Sequence, residues 1–232
     1  MRNAPLKLQC TDDRVTGTIM TFVGPSLMEA HYLLCVMPIR TSSSGEAQPH
    51  TFPRPATAML LMAIAALSTI PYFDPAANGA PKEINGSKVP GDKDKFTACM
   101  LRYFPWGSVR GVDLDAERAC LAVPPAEENA KAAEKLYSLL RNPMMHSGGA
   151  VGRGFPRLGF DSPFPGLGSF EENERALCDW CAHLDLRGQR FLTYDATNVT
   201  VDARTFYWAT RRMIENFAAD PNVQADIATR IL

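Results

Sequence analysis

The stretch LLRNPMMHSG, residues 139–148, places an arginine, an amide and an imidazole close together within an apolar frame. The Ala-rich segment before it, from about Pro125, has apolar side chains at helical spacing and glutamates in its first turn, where the helix dipole favours acids. Pro143 has no N–H to donate to the Leu139 carbonyl, and it disfavours the α conformation at Asn142. The pattern predicts a helix that kinks or ends at Asn142, followed by a new turn.

Such a kink matters because of the spacing between two polar side chains. On a straight helix, Arg141 and His146 would lie roughly 140° apart and would not share a face. A kink between them brings both side chains towards one groove. Histidine transfers protons near neutral pH, and arginine donates a planar set of N–H groups to phosphate oxygens. The pair could therefore cut a phosphodiester without a metal, with the imidazole taking a ribose 2′-OH proton and the guanidinium stabilising the phosphoryl charge.

The longer segment LYSLLRNPMMHSG, residues 136–148, resembles the signature of HEPN domains, an all-helical nucleotide-binding superfamily. The hallmark of that superfamily is Arg, a polar residue, a few further residues and then His, late in a bundle helix. Arg141, Asn142 and His146 occupy those positions. The resemblance implies a bundle that forms a homodimer, with both motifs facing one cleft. It also implies a candidate metal-independent endoribonuclease acting on RNA, with an antitoxin or a nucleotidyltransferase-like protein as a further partner.

In this hypothesis His146 is the general base or acid, Arg141 stabilises the transition state, and Asn142 orients the imidazole or contacts a phosphate. Two alternatives remain open. One is a non-catalytic HEPN-like module that binds a nucleotide or a protein through the same residues. The other is a structural bundle in which Arg141 meets an acid such as Glu29.

The net charge of −1 at pH 7 provides no overall basic field to recruit nucleic acid. Residues 135–160 nevertheless contain no acid, and they include four cations, Lys135, Arg141, Arg153 and Arg157. We predict that this segment contacts a phosphate backbone, with a solvated loop of scattered arginines as an equal alternative. Ser147 is a further candidate phosphate contact, or an ordinary capping hydroxyl.

The six cysteines lie mostly in apolar surroundings, and the amino-terminal residues lack the pattern of a secretory signal. We therefore expect reduced thiols in a cytoplasmic protein. Cys178 and Cys181 share a helical face near His183, but the sequence has no second pair at matching spacing. We accordingly expect neither a metal site nor a cofactor.

The most apolar segment, residues 55–73, carries no charge, and its length approaches that of a membrane span. It is rich in alanine, it includes Thr and Ser, and Pro71 ends it early. Small side chains on all sides favour a helix at the centre of a bundle. We therefore expect a core helix without membrane insertion.

Together these patterns predict a mainly α protein, an up-and-down helical bundle with a small β-hairpin insertion. The hairpin is expected from two β-rich runs, residues 191–194 and 199–201, and Asp202 is expected to cap the helix that follows. The first helix is expected to begin at Ser26 and to end before Pro38, with His31 as an exposed or hydrogen-bonded histidine. The predicted organisation is a loose or short-stranded arm over 1–23 and a single HEPN-like domain over 24–232, with Pro/Gly-rich loops at 40–55, 74–94 and 148–169.

Overall fold

A computed structural model describes residues 6, 8–10, 12–36, 39–41, 47–49, 52–73, 83–84, 87–141, 157–161, 169–183 and 188–230. In these ranges the protein is mainly α with a small β component, as the sequence predicts. The α-helices are α1 (Asp13–Cys35), α2 (Pro53–Thr69), α3 (Asp92–Tyr103), α4 (Leu114–Arg118), α5 (Pro125–Lys135), α6 (Phe170–His183), α7 (Ala203–Ala219) and α8 (Pro221–Arg230). A 3₁₀ turn, Ile70–Tyr72, extends α2, and a π-helical turn, Leu136–Arg141, extends α5.

Four strands form one mixed sheet in the order β5-β7-β8-β6, namely β5 (Val109–Asp113), β6 (Arg157–Asp161), β7 (Gln189–Tyr194) and β8 (Asn198–Asp202). Strands β7 and β8 are antiparallel, with Leu192 opposite Val201, which confirms the predicted hairpin. Strand β5 joins β7 in parallel, and β6 joins β8 in parallel. The hairpin is therefore the centre of a larger sheet that the sequence did not predict.

The two remaining strand pairs are short antiparallel hairpins, β1 (Ile39–Thr41) with β2 (Ala47–Pro49) and β3 (Glu83–Ile84) with β4 (Ser87–Lys88). They lie in the segments predicted as loops at 40–55 and 74–94, which also contain the first residues of α2 and α3. Strand β6 lies in the predicted loop at 148–169. The loop predictions are therefore wrong where these elements form. Pro and Gly alone do not decide the conformation of these segments, because strand pairing satisfies their backbone N–H and C=O groups.

Helix α2 packs against α1, α3 and α7, and its buried side chains are Ala56, Thr57, Leu60, Leu61, Ala63, Ile64, Leu67 and Ser68. Within the described residues, Pro53–Tyr72 is the one helical segment long and apolar enough to cross a membrane. Half of its most apolar window is buried within the fold. These are the contacts of a core helix in a bundle, as the sequence predicts.

The predicted arm is wrong for residues 13–23, which form the first half of α1. Asp12 caps this helix by accepting a hydrogen bond from the Arg14 N–H at 2.8 Å. The sequence placed the helix start at Ser26 because Pro25 normally interrupts a helix, at a cost of about 3 kcal/mol. A buried stripe nevertheless continues across Pro25, and it consists of Val15, Ile19, Val23 and Leu27. Burial of this stripe outweighs the lost backbone hydrogen bond, so the proposed boundary at residue 24 falls inside one helix.

The sheet and the helices approach each other closely at Gly111 on β5. A Cβ atom at this position would lie 2.5 Å from the Cβ of Ala132 on α5. We expect Gly111→Ala to lower the free energy of unfolding by about 1–3 kcal/mol, because α5 and β5 would have to separate. Gly17→Ala is the control, since no atom lies within 4 Å of its Cβ position and alanine stabilises a helix by about 1 kcal/mol. Urea denaturation measures both, and an unchanged midpoint for Gly111→Ala would contradict the close approach.

Candidate functional site

Arg141 is the last residue of the π-helical turn that continues α5. The kink predicted at Asn142 lies outside the described residues, and the helix already changes to π-helical geometry at Leu136. Single π-helical turns in α-helices are frequent at functional sites. Leu136 and Leu140 are fully buried and fix this turn against the bundle. As a result the Arg141 side chain lies at the edge of the core and is only 16% exposed.

The described residues give the Arg141 guanidinium only weak partners. Its carbon lies 5.2 Å from the centroid of the Tyr137 ring, and Nη1 lies 3.5 Å from the Tyr137 hydroxyl. Nη2 is 4.0 Å from Oδ2 of Asp92, whose side chain is 64% exposed. Nε is buried and has no hydrogen-bond partner in the described part of the chain. A guanidinium as buried as this one normally needs a close counter-charge, so Arg141 retains the capacity to bind an anion.

Arg141 lines a cavity of about 180 Å³ between α2, α3 and the π-helical turn. The other lining residues are Ala65, Ala66, Ser68, Thr69, Asp92 and Phe96. The small side chains of α2 leave this space open. The Ser68 and Thr69 hydroxyls already donate to the carbonyls of Ala65 and Ala66. Arg141 is therefore the group in this lining best suited to hold a negatively charged oxygen.

The remaining predicted site residues are separated from Arg141 or lie outside the described ranges. The Lys135 Nζ atom is 5.6 Å from the centroid of the Tyr194 ring, so it contacts the sheet, whereas Arg141 contacts α3. Within the described ranges, these two cations have no shared partner. Asn142, His146, Ser147 and Arg153 lie outside the described residues. Arg157 is in β6, opposite Asn198, and its side chain is not described.

No protein-family model matches this chain, and no curated protein or solved structure is detectably similar to it. The HEPN resemblance therefore stays a prediction from the motif alone.

The nearest described acid to Arg141 is Asp92, and Glu29 is an exposed residue of α1. We expect Asp92→Asn to change the free energy of unfolding by less than about 1 kcal/mol, because its contacts with Arg141 and Lys95 are 4.0 and 3.8 Å long and its carboxylate is exposed. Asp220→Asn is the matched control. Asp220 accepts hydrogen bonds from Arg102 and Tyr103 at 2.7 and 2.8 Å, and we expect its loss to cost about 1–3 kcal/mol. Thermal unfolding measures both, and a cost at Asp92 equal to that at Asp220 would favour a structural ion pair.

A second polar cluster centres on His31, which α1 places at 5% exposure. Its Nδ1 atom is 2.9 Å from the Tyr207 hydroxyl, and its Nε2 atom is 3.1 Å from Oε1 of Glu174. The tautomer that satisfies both contacts has Tyr207 donating to Nδ1 and Nε2–H donating to Glu174. The sequence predicts either an exposed or a hydrogen-bonded histidine, and the hydrogen-bonded alternative is confirmed. The sequence signal for burial is the spacing of His31, four residues from both Leu27 and Cys35 on the buried stripe.

This cluster ties α1, α6 and α7 together and has the character of a structural network. Burial lowers the pKa of His31, against the opposing effect of Glu174. Burial also raises the pKa of the neighbouring Cys35 thiol to about 12, so this thiol is protonated and a poor nucleophile. Among the residues that the structure describes, no group of three or more His, Cys, Asp or Glu side chains could hold a metal ion. For Cys181, in the pair considered above, burial likewise raises the pKa to about 12.

The lowered pKa of His31 predicts a pH dependence of stability. The ordinary pKa of histidine is 6.5. As the pH falls through this value, His31 takes up a proton in the unfolded chain but stays neutral in the folded protein. The stabilisation from neutral His31 is therefore complete above pH 6.5 and declines below it. At pH 7 we expect His31→Gln to cost about 1–3 kcal/mol, and the gap from wild type to narrow by pH 5.

Thermal unfolding at both pH values measures this gap. Tyr207→Phe is the control, because it removes one hydrogen bond to the ring and keeps the group that titrates. A gap for His31→Gln that stays constant or widens on acidification would contradict the lowered pKa.

Proposed function

We propose that this protein is a HEPN-like, metal-independent endoribonuclease in which Arg141 and His146 act together in a cleft between two copies of the chain. The observation that supports this proposal best is the state of Arg141. Its guanidinium is 16% exposed, its Nε has no described partner, and it faces a small cavity at the end of the motif helix. A buried cation in this state matches a site for a phosphate oxygen better than a structural ion pair.

In the proposed reaction, His146 removes the proton of a ribose 2′-OH, and the 2′ oxygen attacks the adjacent phosphorus. The new P–O2′ bond forms as the P–O5′ bond breaks, and a protonated imidazole gives its proton to the leaving 5′ oxygen. The second His146 of the dimer supplies that proton. Arg141 stabilises the extra negative charge on the phosphoryl oxygens, and Asn142 orients the imidazole. The products are a 2′,3′-cyclic phosphate and a 5′-hydroxyl.

The residues around this pair have supporting roles in the proposal. Ser147, Arg153 and Arg157 contact neighbouring phosphates of the RNA strand, and Lys135 contacts a more distant one. The enzyme acts in the cytoplasm, and a protein partner such as an antitoxin or a nucleotidyltransferase-like protein controls it.

A second candidate function is a non-catalytic module that binds a nucleotide or a protein through Arg141. Two observations favour it. The net charge of −1 gives the chain little attraction for a long polyanion, and Asp92 stands at the rim of the Arg141 cavity. A mononucleotide places fewer phosphates near this carboxylate than an RNA strand does, so the carboxylate repels it less.

The test incubates wild type, His146→Ala and Arg141→Ala with labelled mixed RNA in EDTA. We expect cleavage by wild type, ending in 2′,3′-cyclic phosphate, and at least about a hundredfold loss in both variants. Arg14→Ala is the control, because its side chain is 70% exposed and pairs only with the neighbouring Asp12 in the described chain. Its rate should equal that of wild type.

The dimer mass and thermal midpoint of each variant separate loss of chemistry from loss of fold. Cleavage that survives His146→Ala would rule out its role as base. The binding module would be supported instead by a different set of results. No protein would cleave RNA, the wild-type dimer would be intact, and Arg141→Ala would bind a nucleotide less tightly than wild type does.

A further inference from the structure

A cavity of about 240 Å³ lies between α1, α7 and the segment of chain that precedes α1. We call it the α1–α7 cavity. Tyr207 and Arg211, one turn apart on α7, line one side of it. Met28 also lines it and is half exposed, so the cavity reaches the protein surface there. The remaining α1 residues in the lining form a stripe at helical spacing, namely Thr16, Met20, Gly24, Leu27 and His31.

The third side of the cavity is formed by Leu6 and Leu8, which are partly buried against the core. The side-chain amide of Gln224 donates a hydrogen bond to the Gln9 carbonyl at 3.0 Å and ties this segment to α8. Side chains from three separate parts of the fold therefore enclose the space. It is a formed cavity and differs in this respect from an apolar helix face that lacks a partner.

The polar groups of the lining, apart from Thr16, gather at one end of the cavity. The His31 Nδ1 atom is 2.9 Å from the Tyr207 hydroxyl, and the Arg211 guanidinium carbon is 5.8 Å from the centroid of the Tyr207 ring. His31 is fully engaged, because its Nε2 atom contacts Glu174, which lies outside the lining. Among the described residues of the lining, Arg211 is the one permanent charge, and no carboxylate occurs.

The rest of the lining is mostly apolar, and it extends from Leu27 back to Met20, two turns or about 10 Å along α1. Gly24 keeps this part of the cavity open, because a Cβ atom there would lie 3.2 Å from the Cε atom of Met20. Apolar walls offer few hydrogen-bond partners, so they disfavour a peptide backbone or a sugar, whose polar groups would lose their water. They favour an aliphatic chain, which gains free energy when it leaves water.

We propose that the α1–α7 cavity binds a medium-chain aliphatic monocarboxylate. The carboxylate accepts hydrogen bonds from Arg211, whose five N–H donors can serve a ligand as well as a protein partner. The chain runs past Gly24 towards Met20 and lies against the two leucines of the preceding segment. A ligand with a second negative charge is disfavoured, because that charge would lie against apolar walls. The site does not involve Arg141, so the proposal stands or falls independently of RNA cleavage.

The experiment measures binding of octanoate to the full chain by isothermal titration calorimetry at neutral pH. Octanol and octylamine carry the same chain with a neutral and a positive head group. We expect octanoate to bind at least about fivefold more tightly than octanol, and octylamine to bind more weakly still. Hexanoate tests the contribution of the chain. Its binding should be weaker by about tenfold, because it buries fewer methylene groups.

Arg211→Gln tests the contact with the head group, and Arg212→Gln is its matched control. Arg212 is the next residue on α7, lies outside the lining, is exposed and pairs with Glu215 at 2.8 Å. We expect Arg211→Gln to lower the affinity for octanoate to that for octanol. Its affinity for octanol should equal that of wild type, which shows that the cavity is intact. Arg212→Gln should bind both ligands as wild type does.

Gly24→Leu tests the path of the chain, because the new side chain would project into the cavity. Gly17→Leu is its control, since Gly17 is on the same helix, outside the lining, and has no atom within 4 Å of its Cβ position. We expect Gly24→Leu to weaken octanoate and octanol binding alike by at least about tenfold, and Gly17→Leu to leave both unchanged. The thermal midpoint of each ligand-free variant shows whether it is folded.

The proposal would be overturned if octanoate did not bind, if octanol or octylamine bound as tightly as octanoate, or if hexanoate bound equally well. An equal loss of octanoate affinity in Arg211→Gln and Arg212→Gln would also contradict it. So would a folded Gly24→Leu protein that binds octanoate as wild type does.

Discussion

The contact between Gly111 and Ala132 is the constraint on which the position of α5, and with it that of Arg141, depends. It seats α5 directly on β5, at a distance that leaves no room for a side chain at Gly111. Once α5 is fixed there, its two ends are fixed as well. Its first turn brings Glu128 to a cavity where β5 and β7 end, and its π-helical continuation carries Arg141 to the cavity beside α2. The sheet therefore positions side chains of α5 and of its continuation in two cavities, although it is a small part of the fold.

The composition of α2 explains why a cavity exists beside Arg141. The helix carries no charge after its first turn, so most of its surface needs other helices around it, and α1, α3 and α7 provide them. Leucine and isoleucine fill the central turns of its buried face. Towards its carboxyl end, Ala65, Ala66 and Ser68 are too small to fill the space next to Phe96. Close packing of large residues and a gap beside small ones thus occur on the same helix.

Local patterns predicted the elements that local forces determine. The β7–β8 hairpin, the core position of α2 and the cap at Asp202 follow from alternation, composition and a side chain that accepts from two backbone N–H groups. The course of α1 through Pro25 could not be predicted in the same way, because it depends on burial against α2. The parallel pairing of β5 and β6 with the hairpin joins segments far apart in sequence, and no local signal encodes such pairing.

The same distinction applies to the sites. Arg141 could be selected from its motif, but its weak partners became visible only when α3 placed Asp92 beside it. The cavity at the ends of β5 and β7 had no sequence signal, since its lining residues Arg110, Glu128 and Tyr194 come from three separate segments. Both cavities contain an arginine whose Nε is buried and unpaired in the described chain, yet their surroundings differ. One rim acid faces Arg141, whereas Arg110 shares its cavity with three carboxylates and with Lys131. The same cation therefore meets a different electrostatic field in each cavity, so the two arginines differ in the anions that they attract.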